Sequence, residues 1–196
     1  MLKHLSVTRL FISISFISIY LLTGCAEVIN VTTSKPIEMK ANERTMGAKI
    51  NDQEIETAAK VNIKKAHALL EHAHVNVDSF NGIVLLTGQV PNNELRNLVA
   101  DTVYQLSPVR EVHNELVVRD ITNFSERSID TWISAKIKAQ LLADRKTESG
   151  RIRIITEMKT VYLMGIVTRA EADHISDTVS HTRNVQKVVK VFEYLD

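Results

Sequence analysis

Apolar positions along this chain fall into runs of different period, and each period predicts an element. From Leu10 to Leu22 the chain is continuously apolar or hydroxylated, with Lys3 and Arg9 in front and small residues behind, which is the layout of an export signal. Thirteen residues are too few to span a bilayer core, which takes about 20. Further on, Asn51-Asp52-Gln53-Glu54 reads as a cap opening a helix to about Ala73, with Ile55, Ala59, Ile63, Ala66 and Leu70 on one face. Val75 and Val77 then alternate with polar residues toward Asn81-Gly82, a dipeptide that accepts positive φ in a tight hairpin. The return strand runs from Ile83 to Val90. Pro91-Asn92-Asn93-Glu94 opens a second helix, lined by Leu95, Leu98, Val99, Thr102, Val103 and Leu106 and stopped by Pro108. A last strand, Glu111 to Val118, alternates Val112, Leu116 and Val118 with polar residues, broken once by Asn114. The predicted order is α-β-β-α-β.

The same order recurs. Val84-Leu85-Leu86-Thr87-Gly88-Gln89-Val90 aligns with Val161-Tyr162-Leu163-Met164-Gly165-Ile166-Val167 at an offset of 77 residues. Upstream, Ile55-Glu56-Thr57 with Ile63-Lys64 faces Ile129-Asp130-Thr131 with Ile137-Lys138 at an offset of 74. Downstream, Val112, Leu116 and Val118 face Val188, Phe192 and Tyr194. In the second copy Ile129, Ile133, Ile137 and Leu141 form the helix stripe and Arg151-Ile152-Arg153-Ile154 alternates as a strand. Met158-Lys159-Thr160 is a poorer turn than Asn81-Gly82. Thr168-Arg169-Ala170-Glu171 is a capping box, and Val185 to Tyr194 closes the unit. The predicted fold class is α+β: two tandem sandwiches, each of two helices on a three-stranded sheet. Copies of about 70 residues sit near the lower size limit for a stable core, so contact between them is a source of stability.

The expected organisation is a signal peptide over 1–24, a lipidated Cys25 with a tether to 50, a first domain over 51–119, a linker over 120–127 and a second domain over 128–196. Cys25 is the only cysteine, so it forms no internal disulfide. Leu22-Thr23-Gly24-Cys25 matches the site at which bacteria cleave an export signal and acylate the new N-terminal cysteine, palmitate included. Ala26 is not the aspartate that holds such proteins at the inner membrane. By resemblance to that sorting pattern, the outer membrane is the destination. Cleavage leaves 22 basic and 23 acidic residues, no footprint for nucleic acid. The tether from Ala26 to Ile50 reaches at most ~80 Å.

The repeated unit, with its glycine after the second strand and its valine-rich closing strand, resembles the BON domain, over nearly all of the mature chain. The match to dual-BON outer-membrane lipoproteins rests on the segment Leu22 to Cys25, Arg44-Thr45-Met46-Gly47, Asp130-Thr131-Trp132-Ile133 and Val161 to Thr168. The resemblance implies a periplasm-facing lipoprotein that supports outer-membrane integrity and binds anionic phospholipid through its second domain. Envelope or division-site proteins are candidate partners. The tether and the second hairpin turn depart from the family pattern.

The residues themselves supply a candidate surface. Ile129, Ile133, Ile137 and Leu141 share one arc, whereas Trp132 lies about 120° from its centre. Trp132 shares a second narrow stripe with Ala135, Ala139 and Leu142, flanked by Lys136 and Lys138 and followed by Arg145. The aligned position in the first copy is Ala58, so the repeat does not itself require an aromatic ring there. Ser128 to Ile154 holds six basic against three acidic residues, and Asp52 to Arg119 six against nine. An indole beside lysines suits a membrane interface, with the ring among headgroups and ammonium groups near phosphates. Two other readings remain at this point: Trp132 packs against the first domain, or the same face docks a protein while the anchor sets location.

Chemistry is otherwise sparse. His67, His72 and His74 lack the cysteine or acid that would complete a zinc set. Asp101 with His113, and Asp173 with His174, lack an activated nucleophile. No glycine-rich phosphate loop appears, and Gly88 and Gly165 suit close backbone approach instead. The expectation is a binding protein with no catalytic residues, metal, cofactor or small-molecule substrate.

Overall fold

The computed structural model describes residues 44–196. The export signal, Cys25 and the segment up to residue 43 lie outside the described residues. In the first copy the elements are α1 (Met46–Ala66), β1 (His74–Phe80), β2 (Ile83–Val90), α2 (Asn93–Tyr104), β3 (Glu111–Asn114) and β4 (Val117–Val118). In the second they are α3 (Phe124–Ala143), β5 (Arg153–Glu157), β6 (Thr160–Val167), α4 (Arg169–Ser180) and β7 (Lys187–Tyr194). β1 pairs antiparallel with β2, and β2 pairs parallel with β3 and β4. β5, β6 and β7 repeat that arrangement. Both copies are therefore two helices on a mixed sheet, an α+β fold.

Local chemistry moves several boundaries. Thr45 caps α1 by accepting from the Ala48 N–H, so the helix starts five residues before Asn51 and takes in part of the segment read as tether. It ends at Ala66, which is exposed, and Leu70 reaches the core from a short 3₁₀ turn. Asn123 and Glu126 form a capping box that starts α3 at Phe124, within the segment read as linker. Arg151 closes a 3₁₀ turn, so β5 begins only at Arg153. The closing strand of the first copy breaks after Asn114, whose side chain accepts from the Leu116 N–H and donates to the Arg96 carbonyl. Leu116 is buried as expected, while Val118 stays 40 % exposed.

Two buried aspartates organise the hairpins. Asp52, inside α1, accepts from Ser79 Oγ at 2.7 Å and from the N–H groups of Asn81 and Gly82 at 2.8 and 2.9 Å. Burial would raise its carboxyl, but these donors and Arg44 outweigh that and hold it below the ordinary value. Asp130 clasps the second turn from α3, accepting from the N–H groups of Met158 and Lys159 at 2.8 Å each. Met158 and Lys159 take φ of 50° and 60°, close to the 54° and 76° of Asn81 and Gly82. The turn that looked poorer is the same turn. Side chains that dislike positive φ are held there by a carboxylate that pairs both amides.

The two sheets pack back to back. Along β2, Val84, Leu86 and Val90 face α1 and α2, whereas Ile83 and Leu85 face the other copy. Along β6, Val161, Leu163 and Val167 face α3 and α4, whereas Tyr162, Met164 and Ile166 meet Phe80, Ile83 and Leu85. A central strand buried on both faces has no polar alternation, which accounts for the continuous apolar run in each copy. The rim of this interface is polar. Arg153 donates to Glu56 and Asp78 at 2.8 and 2.6 Å, Gln89 donates to Glu157 at 2.6 Å, and Arg110 and Asn81 donate to Glu193. Gly88, at φ 115°, lets β2 approach β1 so closely that a Cβ there would lie 1.9 Å from the His74 carbonyl oxygen.

Candidate lipid-facing surface

Helix α3 buries Asp130, Ile133, Ile137 and Leu141. The residues that match these in α1 are Asp52, Ile55, Ala59 and Ile63, since both aspartates clasp a hairpin turn and both triplets enter a core. The helices therefore align at an offset of one turn more than the 74 read from sequence. The position matching Trp132 is accordingly Glu54, not Ala58. The first domain carries an acid where the second carries an indole.

Opposite its buried face, α3 presents Trp132 at 46 % exposure and Leu142 at 66 %, with Ala135 and Ala139 exposed between them. The expected stripe is thus brought together on one outward face. Lys136 borders one side, its Nζ 5.1 Å from the centroid of the Trp132 ring. Lys138, exposed, borders the other. Arg145 lies beyond the helix end at Asp144. Lys136, Lys138 and Arg145 form no ion pair with another described residue. The acids nearby are occupied. Asp130 holds the turn, Glu126 closes the capping box, and Asp144 accepts from the Lys146 N–H, Thr147 Oγ1 and His174, which lower its carboxyl to about 2. His174 therefore pairs with Asp144 and not with Asp173, whose partner is Lys190.

Trp132 is not among the residues packed between the two sheets, which meet through Phe80, Ile83, Leu85, Tyr162, Met164 and Ile166. The sequence reading missed one residue of this face. Phe124, 81 % exposed at the first position of α3, stands on the same side as Trp132. The Asn123-x-x-Glu126 capping box was the available signal, since it places the helix start there. Among the described residues no three His, Cys, Asp or Glu side chains gather as a metal set, and no helix is long and apolar enough to cross a membrane.

Comparison with known proteins gives this geometry a family. A relative in Haemophilus influenzae, named outer membrane lipoprotein DolP, is 31% identical over 89% of this chain and 91% of its own length. A second, named 21 kDa hemolysin, from Actinobacillus pleuropneumoniae, is 32% identical over 78% of each chain. Among solved structures, the C-terminal domain of CdsD from the type III secretion system of Chlamydia trachomatis covers 71% of this chain and 96% of its own, with TM-score 0.30 and 10% identity. The model of the BON domain matches residues 51–120 and 129–196, the two units whose hairpins are clasped by Asp52 and Asp130, and the chain belongs to the BON-domain family.

Proposed function

We propose that this chain is an outer-membrane lipoprotein facing the periplasm, acylated at Cys25 after loss of its export signal. In this reading it binds anionic phospholipid through α3 of its second BON domain and supports outer-membrane integrity. It acts by binding, not by catalysis. The name of the H. influenzae relative supports the location. The observation that carries the lipid contact is the exposed Trp132 stripe bordered by Lys136 and Lys138, which form no ion pair with another described residue.

Magnitudes fit a tethered contact. Inserting the exposed 46 % of an indole side chain of ~200 Å² contributes about 2 kcal/mol. Three cations near an anionic surface add about 1 kcal/mol each, and about 5 kcal/mol corresponds to a submillimolar dissociation constant. Alone that is weak. An acyl anchor on the same chain supplies a millimolar effective concentration, which is enough to keep the helix docked much of the time.

The test uses the chain from Ala26 onward and vesicles of phosphatidylglycerol or phosphatidylcholine. Binding to the anionic vesicles only, weakening with salt and lost on Trp132→Glu, is the expected result. Absence of binding by the unaltered chain would sink the lipid reading in favour of a protein-docking scaffold on the same face.

A further inference from the structure

Resting on the lipid reading, we infer that Phe124 is a second insertion point, so that α3 lies along the membrane surface over its whole length and does not dip in at Trp132 alone. Phe124 is the most exposed large apolar side chain among the described residues, at 81 %, ahead of Met46 at 72 %. Its position is not random. At 100° per residue, Phe124, Trp132, Ala135, Ala139 and Leu142 fall within a sector about 80° wide, centred almost opposite the buried face. From Phe124 to Leu142 that sector runs about 27 Å along the axis at 1.5 Å per residue.

Charge is sorted to match. The acids of α3, Glu126 and Asp130, project toward the buried side, one closing the capping box and the other clasping the Met158-Lys159 turn. The cations Arg127 and Lys138 border one edge of the apolar sector and Lys136 the other, the lysines roughly 80° and Arg127 roughly 100° from its centre. An apolar strip with cations along both margins is the layout of a helix lying in the plane of an anionic lipid interface. A helix that touched the surface with Trp132 alone would leave Phe124, about 12 Å away along the axis, in water. A partner protein with an apolar groove is a different occupant, and the two-sided cationic border favours the lipid surface.

Trp132 is the only tryptophan in the chain, so one indole can be moved and followed. The full-length acylated protein is reconstituted into vesicles of phosphatidylcholine with or without phosphatidylglycerol. Emission and acrylamide quenching are then recorded for the unaltered chain and for the double variant Trp132→Phe with Phe124→Trp. The inference expects a blue shift and protection from quencher at both positions in the anionic vesicles alone. It also expects Phe124→Ala to weaken docking about tenfold, read as loss of Trp132 protection. Circular dichroism of each variant should be unchanged, because the side chain supports no core. A shift at position 132 with none at position 124 overturns the inference and leaves the lipid reading standing. No shift at either position overturns both.

Discussion

Helices α1 and α3 hold corresponding places in the two BON domains, yet only their inner faces agree. Inside, Asp52 and Asp130 clasp a hairpin turn, and Ile55, Ala59 and Ile63 answer Ile133, Ile137 and Leu141. Outside, Met46, Ile50, Glu54 and Val61 stand where α3 has Phe124, Ser128, Trp132 and Ala139. The inner set is fixed because a lost contact there costs stability, whereas the outer set touches little and is free to diverge. On the lipid reading proposed above, the binding chemistry lies in the outward faces: an acid at position 54 would repel the anionic surface that an indole at position 132 would enter.

Four tests sharpen this comparison. The largest effect is expected where the copies diverge in backbone. Gly88→Ala must accommodate a Cβ 1.9 Å from a carbonyl oxygen at φ 115°, and should cost about 4 kcal/mol in urea unfolding. Gly165→Ala meets the Ile152 side chain at 3.0 Å and the Arg151 oxygen at 3.1 Å, with Phe192 at an ordinary 3.7 Å, and should cost about 1–2 kcal/mol. Equal losses would refute the assignment of close approach to the first sheet. Next, Asp130→Ala leaves two turn amides without their acceptor, a cost of about 3 kcal/mol. Adding Met158→Asn and Lys159→Gly should recover about 1 kcal/mol by supplying residues that tolerate positive φ. No recovery would mean that the turn is held by something other than Asp130.

Acid should act on the contacts that join the domains. Glu157 and Glu193 are pulled up by burial, yet the nearby His74 imidazole and the Gln89 hydrogen bond at one, and the Arg110 and Asn81 hydrogen bonds at the other, hold both below the ordinary carboxylate value. A depressed carboxyl stabilises the fold fully above its unfolded pKa of about 4.3, and that stability is lost as pH falls through the folded value. The melting temperature should therefore fall below about pH 4.5, with Glu157→Gln flattening the slope. Asp78, raised chiefly by its burial, opposes this trend. Thermal melts between pH 6 and pH 3 measure the balance. The smallest effect on stability belongs to Glu54→Trp on exposed α1, within about 0.5 kcal/mol. It should nonetheless add vesicle affinity to the first domain, and a gain equal to zero would show that Lys136 and Lys138 matter more than the ring.

Much of this was legible beforehand. Element types and their order follow from periodicity, and the hairpin valines, the α2 stripe and the Leu116 anchor lie where the pattern put them. Trp132, Ala135, Ala139 and Leu142 share an outward face because helix geometry fixes angular position from spacing alone. The helix alignment between copies was misread by one turn, since apolar residues at spacing four repeat after each turn and cannot choose among registers. The buried aspartates decide it, and a carboxylate shows its partner only once the hairpin has folded back onto the helix.

Sequence by itself determined the repeat, the α-β-β-α-β order of each copy and the amphipathic outer stripe of α3, all of which depend on residues near one another along the chain. The tertiary structure decided how the copies meet. Ile83 to Leu86 and Val161 to Ile166 are apolar on both faces of a strand, and such a run is compatible with any partner surface. Only the packed sheets reveal that one face of each belongs to its own helices and the other to the opposite domain. With that interface taken by the strands, Trp132 lies outside it and keeps 46 % of its surface exposed.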